Sequence, residues 1–74
     1  MNAKTVKLGK FIREQRESRG ISQTDLAHLS GTSLNFISQL ENGKESVRIS
    51  KVLDILSSLG IKIKLSLGKN EIEL

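Results

Sequence analysis

Cysteine, proline, tyrosine and tryptophan are all absent from this 74-residue chain. Without cysteine there can be no disulfide, no thiolate metal site and no thiol catalysis. The one histidine is His28, and the aromatic side chains are Phe11 and Phe36. That stock is too poor for an enzyme, so no catalytic residue, cofactor or metal is expected. Ser22, Asp25 and His28 have the residue types of a hydrolase set. Helix capping accounts for the first two, however, and no oxyanion-forming motif accompanies them. No apolar run approaches the length of a membrane span, and the opening "MNAKTVKLGK" is polar. The expectation is a soluble, cytoplasmic protein with no membrane partner. Proline-rich, repeated and low-complexity stretches are missing too, which favours a single domain over residues 1–74.

What the chain does have is positive charge. Twelve basic residues against eight acidic ones leave a net charge of +4 and a pI near 9.8, a balance that favours a polyanionic partner. Lys4, Lys7, Lys10, Arg13, Arg16 and Arg19 recur every three positions, which on a helix makes a slanting stripe and reads mainly as a solvated face.

Four helices are expected. The first runs from about Val6 to Arg19, with Leu8, Phe11, Ile12 and Gln15 at helical spacing, Thr5 as N-cap and Gly20 beyond its end. The second, Gln23 to Ser30, opens on Ser22 with Asp25 three positions on and Ile21 and Leu26 as a hydrophobic staple, and closes at Gly31. The third starts after Thr32 or Ser33, carries Phe36, Ile37 and Leu40, and stops at Asn42-Gly43. The fourth, about Ile49 to Leu59, has Ile49, Val52, Leu53, Leu56 and Leu59 as its inner stripe. Its N-cap is open between Ser46, Arg48 and Ser50. After Gly60, residues 61–67, "IKIKLSL", alternate with the period of a strand, and residues 68–74 read as a short polar tail.

Helices two and three have the spacing of a helix-turn-helix. With Gln23 as the first position, Ala27 is fifth, Gly31 ninth, Ile37 fifteenth and Leu40 eighteenth. Two helices crossing steeply need a small residue at the crossing, which Ala27 is, and Gly31 suits the tight turn. Ile37 and Leu40 plug the third helix onto the second, leaving Ser33, Leu34, Asn35, Ser38 and Gln39 outward. This short, uncharged set of hydroxyl and amide groups suits the reading of base edges in a major groove.

Residues 20–44, "GISQTDLAHLSGTSLNFISQLENGK", resemble the helix-turn-helix of the Xre family, to which the lambdoid phage repressors and Cro proteins belong. The resemblance implies a mainly α, lambda-repressor-like bundle of four helices. It also implies a DNA-phosphate contact for Gln23, base contacts for Ser33, Leu34, Asn35 and Gln39, and backbone contacts near Asn42, Gly43 and Lys44. Leu34 departs from the polar residue common at its position, so no operator sequence transfers. The family's glutamate–arginine pair would be Glu41 with Arg16. Arg48 is a second phosphate candidate, and His28 reads as solvated or phosphate-neighbouring rather than metal-bound.

The strand raises a different question, since no second strand is evident. Ile61, Ile63, Leu65 and Leu67 point one way, and an exposed apolar edge invites pairing. The expected partner is the same strand of a second copy, antiparallel about a two-fold axis, giving a homodimer suited to palindromic double-stranded operator DNA. Residues 51–67, "KVLDILSSLGIKIKLSL", resemble the corresponding region of HipB-type antitoxins. That resemblance implies autorepression of a toxin–antitoxin operon and a HipA-like kinase toxin as partner. Two alternatives remain: a free-standing phage-type or restriction-modification controller repressor, and a protein-interaction module without DNA binding.

Overall fold

The computed structural model describes residues 2–74. Four helices, α1 (Ala3–Ser18), α2 (Gln23–Ser30), α3 (Leu34–Glu41) and α4 (Ile49–Ser58), precede two strands, β1 (Lys64–Leu67) and β2 (Asn70–Glu73). None of the described helices is long and apolar enough to cross a membrane.

Side-chain caps set where most of the helices begin. Asn2, not Thr5, is the N-cap of α1: its Oδ1 accepts from the Thr5 amide at 2.9 Å, so the helix starts three residues earlier than the apolar spacing suggests. Ser22 and Asp25 form a complete capping box on α2, and the Ser33 hydroxyl accepts from the Phe36 amide at the start of α3. Arg48 is the N-cap of α4 without a side-chain cap bond. Gly31 closes α2 in the left-handed region, at φ +68°, where a β-carbon would be strained.

The core sits where the four helices meet and comprises Ile12, Leu26, Ala27, Ile37, Leu40, Val52, Ile55, Leu56 and Leu59. Two expected stripes need correction. On α1 the buried positions are Gly9, Ile12 and Arg16, whereas Phe11 is 45 % exposed and Gln15 only half-buried. On α4 the inner set is Val52, Ile55, Leu56 and Leu59; Ile49, at the very start of the helix, is 67 % exposed. Ile55 completes the i, i+3, i+4, i+7 pattern and belongs in the stripe that the spacing had assigned partly to Ile49.

The C-terminus also differs from expectation. Residues 68–74 are not a tail. They turn back through Gly68 and Lys69 and supply β2, which pairs antiparallel with β1 in the register Lys64↔Glu73, Leu65↔Ile72, Ser66↔Glu71 and Leu67↔Asn70. The strand begins at Lys64 rather than Ile61, and its first partner lies in its own chain. Gly68, at φ +61°, takes the first position of the two-residue turn, as a tight antiparallel connection requires. Ile61 and Ile63 pack partly against the helical core and hold the hairpin to it. One hairpin face therefore carries Leu65, Leu67, Ile72 and Leu74, which are 50, 82, 58 and 63 % exposed.

Candidate nucleic-acid interface

Helix α3 is held by Ile37 and Leu40, 0 and 2 % exposed, with Ala27 of α2, 3 % exposed, among the same buried side chains. With that side buried, Leu34 and Asn35 stand exposed, and Ser38 and Gln39 are half-buried beside them. Ser33 is exposed; its oxygen is used by the cap, which leaves its hydroxyl hydrogen to donate elsewhere. The Lys44 Nζ donates to the Gln39 Oε1 at 3.3 Å, and the Lys44 amide donates to the Gln39 carbonyl at 3.1 Å. These bonds fold the turn after α3 back along the helix and bring Lys44 next to the amide of Gln39. Asn42, Lys44 and Arg48 are exposed along the same loop, and His28 is exposed near the end of α2.

Behind this face lies an ion pair. Arg16 Nε donates to Glu41 Oε2 at 2.7 Å and Arg16 Nη2 to Glu41 Oε1 at 3.0 Å, a bidentate pair joining α1 to the end of α3, with each residue 8 % exposed. The remaining donor, Nη1, reaches the Ile21 carbonyl at 2.9 Å. The Arg16 pKa rises above its ordinary value because of the hydrogen bond to Glu41, against the opposing effect of burial. Glu41 Oε1 also accepts from Gln23 Nε2 at 3.0 Å. The first side chain of α2 is thereby tied to the last of α3. At the same end of α2, the Ser22 amide donates to Asp25 Oδ2 at 2.9 Å and the Asp25 amide to Ser22 Oγ at 3.0 Å. This box leaves the Gln23 and Thr24 amides without a helical partner, pointing out of the helix start where an anion would sit. The Ser22 amide, followed by the Ser22 hydroxyl, holds the Asp25 carboxyl below its ordinary pKa.

This geometry has close counterparts among known proteins. Residues 12–65 match the helix-turn-helix family model, which spans most of the chain. The chain belongs to the Xre-type helix-turn-helix family. Among curated proteins it is similar to an uncharacterized HTH-type transcriptional regulator, y4mF, of Sinorhizobium fredii. The two are 39 % identical over 56 residues, which cover 76 % of this chain and 74 % of that protein. Among solved structures it resembles the restriction-modification controller protein C.AhdI from Aeromonas hydrophila (TM-score 0.72, 36 % identity, 80 % of this chain and 86 % of that one). It also resembles a chain of the HipA-HipB-O2-O3 complex (TM-score 0.78, 26 % identity, 88 % of this chain and 92 % of that one). The protein is thus a DNA-binding transcriptional regulator of the helix-turn-helix class.

In this helix-turn-helix protein, three residues matter that spacing alone did not single out for their packing. Gly9 is buried on α1 where the end of α3 comes closest: a β-carbon there would lie 2.3 Å from the Leu40 carbonyl oxygen and 2.8 Å from that of Glu41. Gly43 combines φ +85° with contact to α1, its imaginary β-carbon 2.9 Å from the Val6 Cα. Arg19 Nη2 donates to the Leu59 carbonyl at 2.6 Å, tying the end of α1 to the end of α4. Gly9 had one sequence signal, a glycine inside a helical pattern, which costs about 1 kcal/mol relative to alanine and so implies a packing reason.

Proposed function

We propose that this regulator is an operator-specific repressor acting as a homodimer, and that it serves as the antitoxin of a HipA/HipB-like toxin–antitoxin system whose operon it represses. The observation that carries the DNA reading is the α3 face, where Leu34, Asn35, Ser38 and Gln39 are left outward by the burial of Ile37 and Leu40. Asn35 and Gln39 offer paired donor and acceptor groups for an adenine edge, and Leu34 a contact for a thymine methyl. Ser33 at the helix start adds its hydroxyl to the base-facing set, while Asn42 and Lys44 beyond the helix end, and Gln23 with the free amides of α2, take the flanking phosphates.

The dimer reading rests on the hairpin. Of the four residues expected to pair two copies, Ile61 and Ile63 are half-buried on their own core, while Leu65 and Leu67 remain outward, joined by Ile72 and Leu74. One edge of β1 is used by β2; among the described residues the other has no strand partner. Antiparallel β1–β1 pairing about a two-fold axis would build a four-stranded sheet with the apolar faces of both hairpins on one side, where the helices of the second copy would cover them. A groove of about 480 Å³ between α4 and the hairpin, with Leu53, Leu56, Ile61, Ile63 and Leu74 on its walls, offers further apolar surface to the second copy. Two recognition helices then suit half-sites about one helical turn, roughly 34 Å, apart.

The antitoxin role is supported by the likeness to the HipA-HipB-O2-O3 complex over 88 % of the chain. A second reading, a restriction-modification controller without a toxin, is favoured by the higher identity, 36 %, to C.AhdI. Titrating the purified protein with duplexes carrying its own upstream DNA tests the repressor role. Affinity should fall with salt and distinguish that duplex from a scrambled one; binding indifferent to both salt and sequence would remove the reading. Inhibition of a HipA-type kinase encoded beside the gene would separate antitoxin from controller. For the dimer, Leu67→Asp should yield a folded monomer by sedimentation, because Leu67 is 82 % exposed within one chain; a variant that remained dimeric would rule out the hairpin interface.

A further inference from the structure

The Gln23 side chain does not hang free at the start of α2. Its Nε2 spends one hydrogen on Glu41 Oε1 at 3.0 Å, on the oxygen that also takes Arg16 Nη2 at 3.0 Å. Glu41 is itself fixed by two bonds to Arg16, and Arg16 by a third to the Ile21 carbonyl just before α2. The amide of Gln23 is therefore the last member of a chain of bonds running from α1 through the end of α3. A primary amide nitrogen carries two hydrogens, so the bond to Glu41 orients the group and leaves the second hydrogen to donate.

We infer that Glu41 is a positioning residue for DNA binding: through one carboxylate oxygen it pre-orients the Gln23 amide for a phosphate. The inference rests on the phosphate contact proposed above for Gln23. An unrestrained glutamine loses rotamer freedom when it binds, and ordering such a side chain weakens association by about two- to tenfold. Anchoring by Glu41 moves that loss from the binding step to the folding step. The anchor also couples the two halves of the motif. Any shift of the α3 end, where Asn42 and Lys44 approach the backbone, is felt at the α2 start, so phosphate contacts at the two places form together.

A double-mutant cycle separates positioning from mere stability. Replacing the whole pair, Arg16→Met with Glu41→Leu, removes the anchor, leaves net charge unchanged and substitutes apolar groups for a buried ion pair, an exchange proteins often tolerate. Affinities are measured by anisotropy on a duplex selected by the wild-type protein from a random library. In the native background Gln23→Ala should weaken binding about tenfold or more, as loss of a hydrogen bond to a charged group does. In the Met/Leu background the same change should cost two- to tenfold less. The dependence of affinity on salt should be the same in both backgrounds, because no phosphate-neutralising charge has been removed. No effect of Gln23→Ala in the native background would remove the phosphate contact itself. An equal effect in both backgrounds would overturn the positioning role while leaving the contact standing. Should the double variant fail to fold, side-chain amide relaxation in the native protein decides: the Gln23 NH₂ group must be clearly more rigid than that of the exposed Asn35, and equal mobility overturns the inference.

Discussion

Gly9→Ala sets two well-understood effects against each other. In the middle of α1, alanine in place of glycine should favour the helix by about 1 kcal/mol. The tertiary contact says the opposite. The added β-carbon would sit 2.3 Å from the Leu40 carbonyl oxygen, 2.8 Å from the Glu41 carbonyl oxygen and 3.0 Å from the Glu41 carbonyl carbon. Carbon–oxygen contacts come no closer than about 3.3 Å even when attractive, so α1 must retreat from α3 by about 1 Å. All three obstructing atoms are backbone, and no side-chain rotation relieves them. A gap of about that width forfeits a quarter to a half of the dispersion attraction across the contact. The retreat also strains the 2.7 Å bond between Arg16 and Glu41, seven residues along the same helix. Overpacking of this kind costs about 1–3 kcal/mol, and the loosened ion pair adds to it. The net expectation after the propensity gain is a loss of about 1–3 kcal/mol. A domain of this size has only about 4–11 kcal/mol in total, and each kcal/mol moves Tm by about 4–8 °C. Melting followed by far-ultraviolet circular dichroism, at one fixed protein concentration, should therefore place the variant about 5–20 °C below wild type. A Tm at or above that of the native protein would refute the close approach of α1 and α3.

Four further outcomes follow from particular residues. Glu41→Ala leaves the Arg16 guanidinium buried without its carboxylate and should cost about 3–5 kcal/mol; an unchanged melting temperature would exclude a structural role for the pair. Lys44→Ala should weaken DNA binding evenly across sequences and lower the salt slope by about 0.9, whereas Asn35→Ala should relax preference at one base pair by about 1–3 kcal/mol with the slope intact. The Asp25 carboxyl, held below its ordinary value of 3.8 by the Ser22 amide, contributes stability that is complete above that value and lost as pH falls through its lower folded value. Acid melting curves of Asp25→Asn should lack that step, and identical acid limbs would show that the capping box is not what titrates.

The amino-acid order by itself determined what depends on neighbours within a turn or two. Ser22 with Asp25, Ser33, and the turn glycine Gly31 fixed the helix-turn-helix almost to the residue, because caps and left-handed turns act on the backbone within about four positions. The Arg16–Glu41 pair, 25 residues apart, was legible only because "LENGK" and α1 resemble a known family. Alternation in residues 61–67 was legible as well, but the polar look of "NEIEL" hid a second alternating set, Ile72 and Leu74, behind Gly68-Lys69.

Only the tertiary structure decided which faces meet. Phe11 and Ile49 are as apolar as Ile12 and Ile55, yet the first two stand in solvent and the others are fully buried. The difference lies in where α2, α3 and α4 run, which no local spacing specifies. The same holds for Gly9 under the Leu40 carbonyl and for Gln23 on Glu41. Each links segments far apart in the chain, and exists because packing one buried stripe against another fixes the distance between their backbones.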